Sequence, residues 1–391
     1  MSLLSGGHAC VDGCQGAVPA MLPFLVVAHD LSITAATALV LAATVSSTVV
    51  QPFFGAWSDR APAPWLLPLG VASGCVGVAL AAIAPTYPLV FAAVLFSGLG
   101  VAAYHPEGSR FANYVSGSRR ATGMSYYSLG GNVGFALGPL MSTPLLLVFG
   151  LDGMLAALGL AVAMALLLTA ELRRLVTFQP APVASSGGGP PDRSGDDVRG
   201  FVKLLVVICA RSLAFYTLLG LVPLYFIGAL ETSAATANTA LAGMLVLGAI
   251  GTLVGGRLAD RIGRRPVLVA SLALQPPLLL ATTMVGTVPA LILISLFGFV
   301  AISSFAITVV MGQEYLPSRI GLASGFTLGA AIGIGGLAAP VFGLISDEFS
   351  LDTAMQTLAI LPAAGALLGL TLPAAAARRR RAEAVGAPAS G

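Results

Sequence analysis

Charged side chains are scarce in this sequence, and their scarcity excludes a soluble globular protein. Only 9% of the 391 residues are Asp, Glu, Lys or Arg, whereas an average soluble domain has roughly 25%. Hydrophobic residues make up 57% of the chain, and its mean hydropathy is +0.93. The composition therefore places the chain in a lipid bilayer.

Several motifs are missing as well. The chain has no Gly-x-x-x-x-Gly-Lys-Ser/Thr phosphate loop, no His-Glu-x-x-His and no Gly-x-Ser-x-Gly, so the pattern does not favour ATP-driven transport or an intramembrane enzyme. The four cysteines, Cys10, Cys14, Cys75 and Cys209, all lie in apolar runs and are expected to be core residues. We expect no enzyme activity, no cofactor, no metal ion and no nucleic-acid partner.

Long apolar runs are what the chain does contain. Each is about 20 residues long, which is the length of a membrane-spanning helix and not of an alternating β-strand. The runs cover residues 3–27, 34–56, 65–84, 87–111, 121–148, 152–172, 201–227, 236–256, 266–286, 288–313, 320–345 and 353–373. We predict an all-α membrane protein with twelve transmembrane helices in two pseudo-symmetric bundles. The six-helix bundles are residues 1–172 and 201–373, joined by a polar linker, 173–200, and followed by a tail, 374–391.

A charged loop occurs twice at equivalent positions. The fuller copy is Gly256–Arg265, and a weaker copy is Gly55–Arg60; Gly55 and Gly256 are 201 residues apart. Such a repeat indicates a duplicated membrane unit. The loop resembles the signature of the major facilitator superfamily between helices 2 and 3 and between helices 8 and 9. That resemblance implies a cytoplasmic gate, for which the expected residues are Asp59, Arg60, Asp260, Arg261, Arg264 and Arg265.

The basic residues predict the orientation. If the Gly256–Arg265 loop is cytoplasmic, all but one of the 19 Lys and Arg residues lie on that side, and the opposite loops carry only acids. This distribution obeys the positive-inside rule. We expect a multi-pass protein of the cytoplasmic (inner) membrane of a bacterium, with both termini cytoplasmic. The exception is Arg211, within the seventh span.

Ionisable side chains inside the spans are the candidate functional residues, because their burial in hydrocarbon is costly. They fall on the first, fourth, seventh and tenth spans: His8, Asp12, His105, Glu107, Arg110, Arg211 and Glu314. His8 and Asp12 share one helix face, as do Glu107 and Arg110. Pro106 predicts an interruption of the fourth helix. Each pair is also open to a purely structural interpretation.

Two groups of site residues follow. The proton-coupling candidates are Asp12, Glu107, His8 and His105; the substrate-binding candidates are Arg211, His8, His105, Arg110, Gln15 and Glu314. Arginine suits an anion because its planar fork of donors matches phosphonate or carboxylate oxygens. Arg211 could instead form a structural pair with Asp12.

A glycine-rich segment marks the fifth span. Gly130, Gly131, Asn132, Gly134, Gly138 and Pro139 contain Gly-x-x-x-Gly-Pro, which resembles the helix-5 motif of antiporters in the superfamily. Physically, the pattern predicts a groove for close helix contact followed by a bend.

Within the superfamily, the sequence resembles the fosmidomycin-resistance family of efflux proteins over nearly its whole length. The resemblance rests on His8-x-x-x-Asp12, His105-Pro-Glu-x-Ser-Arg110, Gly130-Gly-Asn-x-Gly134 and Gln313-Glu-x-Leu-Pro317. It departs from the family at Arg211, where we expect lysine. The resemblance implies a secondary transporter that exports a small anionic or zwitterionic compound, such as a phosphonate, in exchange for protons, and we expect a monomer. A symporter or facilitator importing a small metabolite, and a sensor with a transporter fold, remain alternatives.

Overall fold

The computed structural model describes residues 1–60, 63–117, 120–178, 196–317, 322–323, 326–327 and 331–373. The side chains of Asp59 and Arg60 lie outside this description, as do most of the predicted linker and the whole predicted tail, 374–391. The described residues are mostly helical, with a 3-10 helix at Gly150–Leu155, and none of them lies in a strand. The expected all-α architecture is therefore confirmed.

The helices follow the predicted spans closely. In the N-terminal half they are α1 (Ser2–His29), α2 (Ile33–Thr48), α3 (Gln51–Arg60), α4 (Leu66–Ile83), α5 (Tyr87–Val115), α6 (Arg120–Phe149) and α7 (Ala156–Val176). In the C-terminal half they are α8 (Val198–Gly228), α9 (Ala234–Ile262), α10 (Arg264–Thr282), α11 (Thr287–Ser303), α12 (Phe305–Tyr315), α13 (Ala331–Gly335), α14 (Ala338–Glu348), α15 (Leu351–Leu358) and α16 (Ile360–Gly369).

The membrane-spanning segments of the structure correspond to the predicted spans with two differences. Within the described residues, ten segments are long and apolar enough to cross a membrane, and one of them, Tyr126–Val176, contains the sixth predicted span and most of the fifth. The eleventh predicted span, 320–345, lies partly outside the described residues, and its described part holds α13 and α14.

The expected interruption at Pro106 is wrong, because α5 runs unbroken through this residue. Prolines are tolerated inside membrane helices when neighbouring groups satisfy the backbone carbonyls that they free.

Glycines of α6 create the tightest packing in the N-terminal half. A Cβ atom on Gly130, Gly134 or Gly138 would collide with the backbone of α1, at Ser5, Ala9 and Gly13 respectively. Small residues allow two helix backbones to approach in a membrane, where lipid gives no hydrophobic drive for association. The groove expected from the Gly-x-x-x-Gly spacing is present, and it fixes α1 against α6.

The two halves meet on the side of the membrane away from Ser2 and Gly369, which we call the far side; the other is the terminal side. There, the Asp347 carboxylate at the end of α14 accepts hydrogen bonds from the backbone N–H groups of Ile33 and Thr34, both at 2.8 Å, at the start of α2. Asn238 of α9 donates to the carbonyl of Ala20 in α1 at 3.1 Å. These contacts close the far side.

Candidate functional site

A cavity of about 350 Å³ lies between the two halves. Its lining includes residues from the first, fourth, seventh and tenth spans, the four that carry the ionisable candidates: His8, Asp12, Gln15, Val101, His105, Phe215, Tyr216, Ile302 and Phe305. The lining residues of α1 lie in its first 15 residues, and those of α6 in its first 17. With the far side closed, this placement indicates a cavity that opens toward the terminal side.

Three ionisable side chains meet at the wall of this cavity. We call His8, Asp12 and His105 the triad. The Nε2 atoms of the two histidines lie 3.1 Å apart. The Asp12 carboxylate lies 3.3 Å from Nε2 of His8 and 3.2 Å from Nε2 of His105. The sequence placed His8 and Asp12 on one face, but only the fold brings His105 to them from α5.

Backbone carbonyls fix the orientation of both imidazole rings. Nδ1 of His8 donates to the carbonyl of Tyr127 at 2.8 Å, and Nδ1 of His105 donates to the carbonyl of Val101 at 2.9 Å. A carbonyl only accepts hydrogen bonds, so each Nδ1 carries a proton and each Nε2 is directed into the triad. The ring of Tyr127 also stacks on His8, with centroids 4.2 Å apart.

Gly131 of α6 leaves the space that the triad occupies. A Cβ atom at this position would come within 2.6 Å of Nε2 of His8 and of the Asp12 carboxylate. The next residue, Asn132, lines the cavity. The glycine-rich motif of the fifth span thus contributes directly to the shape of the site.

Arg211 lies in the C-terminal half and is only 3% exposed. Its guanidinium donates to the hydroxyl of Ser304 at 3.2 Å and lies 5.4 Å from the centre of the Phe305 ring. Both Arg211 and Asp12 are described, and no ion pair joins them. In the described part of the chain no carboxylate lies within ion-pair distance of Arg211. Phe305 lines the cavity, so Arg211 lies directly behind that wall.

Glu107 and Arg110 lie away from the cavity lining and contact the end of α3 and the loop that follows it. Glu107 is fully buried and accepts a hydrogen bond from the backbone of Ala63 at 3.2 Å. Its carboxylate lies 3.5 Å from Arg110, which in turn donates to the carbonyl of Ser58. This geometry favours the structural interpretation of the pair, since both side chains hold the loop against α5.

The remaining candidates are dispersed. Gln15 lines the cavity and donates to Ser47 at 3.0 Å. Glu314 is ion-paired with Arg264, and Arg265 donates to the carbonyl of Leu370, so both contacts stay within the C-terminal half. Asp260 and Arg261 are exposed, and Asp260 makes no ion pair within the described residues. A gate that forms only in the other conformation would leave them in this state.

Sequence reasoning missed several residues of the site. Tyr127 holds His8 through its backbone, Ser304 and Phe305 contact Arg211, and Tyr216 lines the cavity. The hydroxyl and aromatic groups carry no charge, so they do not stand out from the other residues of an apolar span. Their only signal was their position on the fifth, seventh and tenth spans.

The comparisons with known proteins agree with this architecture. The sequence profile of the Major Facilitator Superfamily matches residues 4–228 and 204–390. The chain belongs to this superfamily. It is 32% identical to the uncharacterised MFS-type transporter YfnC of Bacillus subtilis (strain 168), over 94% of this chain and 90% of the relative. It is 31% identical to the fosmidomycin resistance protein of Escherichia coli (strain K12), over 95% of this chain and 92% of that one.

Solved structures show the same fold. The nucleoside transporter NupG superposes with a TM-score of 0.73 at 16% identity, covering 95% of this chain and 98% of its own. A bacterial homologue of the human lysosomal transporter Spinster, in an inward-facing and unoccupied conformation, superposes with a TM-score of 0.74 at 14% identity, covering 99% of each chain. At these identities the likeness concerns the fold. The protein is therefore a multi-pass membrane transporter of the major facilitator type.

Proposed function

We propose that this protein exports a small anionic or zwitterionic compound, such as a phosphonate antibiotic, in exchange for protons. The observation that carries the proposal is the triad, because a carboxylate flanked by two imidazoles lies at the wall of the cavity between the halves. Such groups bind and release protons, and because they are costly to bury in a membrane, their presence there indicates a functional site.

Arg211 supplies the second part of the proposal. A guanidinium stays protonated at this depth, and an unpaired charge there costs roughly 3 kcal/mol or more. It is separated from the cavity by the ring of Phe305. An anion that enters the cavity and displaces this ring gains a charge-assisted, two-pronged contact with the arginine. The relative named for fosmidomycin resistance supports a phosphonate as the first compound to test.

Alternating access links proton binding at the triad to substrate binding at Arg211. In the arrangement described here the cavity is closed on the far side, which is the periplasmic side if the termini are cytoplasmic as proposed. Substrate then enters from the cytoplasm, and protons enter after the halves rock to open the far side. Binding shifts this equilibrium only through its different affinity for the two conformations.

Transport in vesicles tests the proposal. The protein is reconstituted in proteoliposomes, a pH gradient of either sign is imposed, and movement of fosmidomycin, a sugar and a lipophilic cation is followed. Export coupled to proton entry predicts that fosmidomycin moves in the direction opposite to that of the protons. Movement in the same direction as protons identifies a symporter. Movement of none of the three in either gradient, by protein that is folded, contradicts the proposal and favours a sensor.

A further inference from the structure

We infer that His8, Asp12 and His105 form a binding site for one divalent transition-metal ion, of the kind that prefers imidazole and carboxylate ligands. Zn²⁺, Fe²⁺, Co²⁺ and Ni²⁺ belong to this class. The inference requires neither a direction of transport nor proton coupling. The metal ion is a second ligand of the triad and competes with the proton, since both cannot bind the same Nε2 atom at once.

The spacing of the ligand atoms carries the inference. One nitrogen from each histidine and one oxygen from Asp12 all lie within 4.8 Å of one another. The two Nε2 atoms are 3.1 Å apart, and each lies near a different oxygen of Asp12, His8 at 3.3 Å from Oδ2 and His105 at 3.2 Å from Oδ1. Ligands placed about 2.1 Å from a common ion are separated by about 3.0 Å in an octahedral site and about 3.4 Å in a tetrahedral one. The distance between the two nitrogens and the distance from each nitrogen to its nearer Asp12 oxygen fall within this interval.

The orientation of the ligand atoms also supports a metal site. Oδ1 of Asp12 is buried and receives no hydrogen bond, although Nε2 of His105 lies 3.2 Å away. The two groups are thus close without hydrogen-bonding geometry. Ligands of a metal ion show this relation, because their lone pairs converge on the ion and not on one another. A buried oxygen without a partner is costly, and a cation at the centre of the triad would satisfy it.

The surroundings of the histidines match those of metal ligands. Histidines that bind a metal commonly donate the other ring N–H to a carbonyl or a carboxylate, which orients the ring. Both histidines do so here, His8 through Tyr127 and His105 through Val101. Gly131 keeps the volume beside Nε2 of His8 free of a side chain.

The triad would leave coordination positions open toward the cavity that it lines. Three protein ligands with open positions are typical of sites that also bind water or an exchangeable ligand. One carboxylate neutralises only half of the charge of a divalent ion. An anionic oxygen from a cavity ligand is therefore the expected additional ligand.

Cobalt binding tests the inference. Full-length protein without a polyhistidine tag is purified in detergent with a chelator, freed of the chelator and titrated with Co²⁺, whose visible ligand-field bands report coordination by protein. We expect saturation at one ion per chain. His8→Gln and His105→Gln should each lower the affinity at least about 100-fold, since loss of a group that only supports a ligand typically costs 10- to 100-fold.

The third histidine of the chain is the matched control. His29 ends α1 on the far side, away from the triad. His29→Gln should bind Co²⁺ like the wild type. Equal binding by the wild type, His8→Gln and His105→Gln, or no saturable binding by the wild type, overturns the inference and leaves the triad to protons.

A second measurement needs no variant and so does not depend on variant folding. X-ray absorption of the Zn²⁺-loaded wild type should show two imidazole nitrogens and carboxylate oxygen around the ion. Sulfur ligands would overturn the inference, because Cys10, Cys14 and Cys75 are buried on the neighbouring faces of α1 and α4. Transport in chelator-containing vesicles tests the proposed export separately, so failure of one proposal is distinguishable from failure of the other.

Discussion

The two halves of the protein each place an ionisable centre at the cavity or directly behind its wall, but they compensate its charge differently. In the N-terminal half, the Asp12 carboxylate lies within 3.3 Å of two imidazoles, and all three groups line the cavity. In the C-terminal half, Arg211 has a hydroxyl and an aromatic ring as partners and lies behind the cavity wall.

This difference separates two kinds of chemistry. Imidazole and carboxylate change their protonation within the physiological range or near it, whereas guanidinium does not. We therefore expect variants of the triad to affect coupling to protons, and variants of Arg211 to affect binding of the anion. Four substitutions test how far this division extends.

The largest effect is expected from Asp12→Asn. The substitution keeps the shape of the side chain but removes its charge and its ability to bind a proton. Transport driven by a pH gradient should fall to the level of protein-free vesicles, while exchange of substrate across the membrane without a gradient continues. Full gradient-driven transport by this variant would remove Asp12 from the coupling mechanism and turn attention to the two histidines.

Arg211→Gln should come next. Loss of charged hydrogen bonds to an anion costs about 1.5–3 kcal/mol, which is about 10- to 100-fold in affinity. Isothermal titration with a phosphonate measures the change, and Arg211→Lys, which retains the charge without the planar fork, should bind at an intermediate affinity. Equal affinity of folded Arg211→Gln and wild type would make Arg211 structural.

Gly131→Ala should produce a smaller effect, on stability as well as function. The added methyl group collides with His8 and Asp12, and such overpacking typically costs about 1–3 kcal/mol. Thermal unfolding in detergent measures the loss. Gly159→Ala is the control, because nothing lies within 4 Å of a Cβ atom at that position of α7. Equal stability of the two variants would show that the added methyl group fits beside the triad without a collision.

The smallest effect is expected from Asp347→Ala on the far side. Its carboxylate caps α2 from the opposite half, and loss of a helix cap costs about 0.5–2 kcal/mol. The conformation closed on the far side should lose that much free energy of stabilisation relative to the open one, so its population should fall. Spin-label distances between the far-side ends of α2 and α14 measure the shift, and a distance distribution identical to that of the wild type would contradict it.

The same contact predicts a pH dependence. Partial burial raises the pKa of Asp347, but hydrogen bonds from Thr34 and Ile33 outweigh it, so that its pKa in the closed conformation lies below the usual value. The contribution of this carboxylate to closure is therefore complete above a pH of about 4 and is lost as the pH falls below that value. Asp347→Asn should remove this dependence.

The amino-acid sequence predicts the helices well, because a span of apolar residues is a local property. It also identifies His8, Asp12, His105 and Arg211, because a charge inside such a span stands out. It could not predict that His105 joins His8, since the two are 97 residues apart and meet only through the packing of α1 against α5 and α6. The role of Glu107 was open for the same reason, as its partner Ala63 lies in a loop.

In the proposed mechanism, the N-terminal half binds the proton and the C-terminal half binds the anion, and each binding event affects the other. Proton release by purified protein in weakly buffered detergent solution tests it most directly, on addition of a saturating phosphonate. We predict a stoichiometric release of protons from the wild type, none from Asp12→Asn, and a release from Arg211→Gln that requires about 10- to 100-fold more phosphonate. Release of the same number of protons from the wild type and Asp12→Asn would contradict the account.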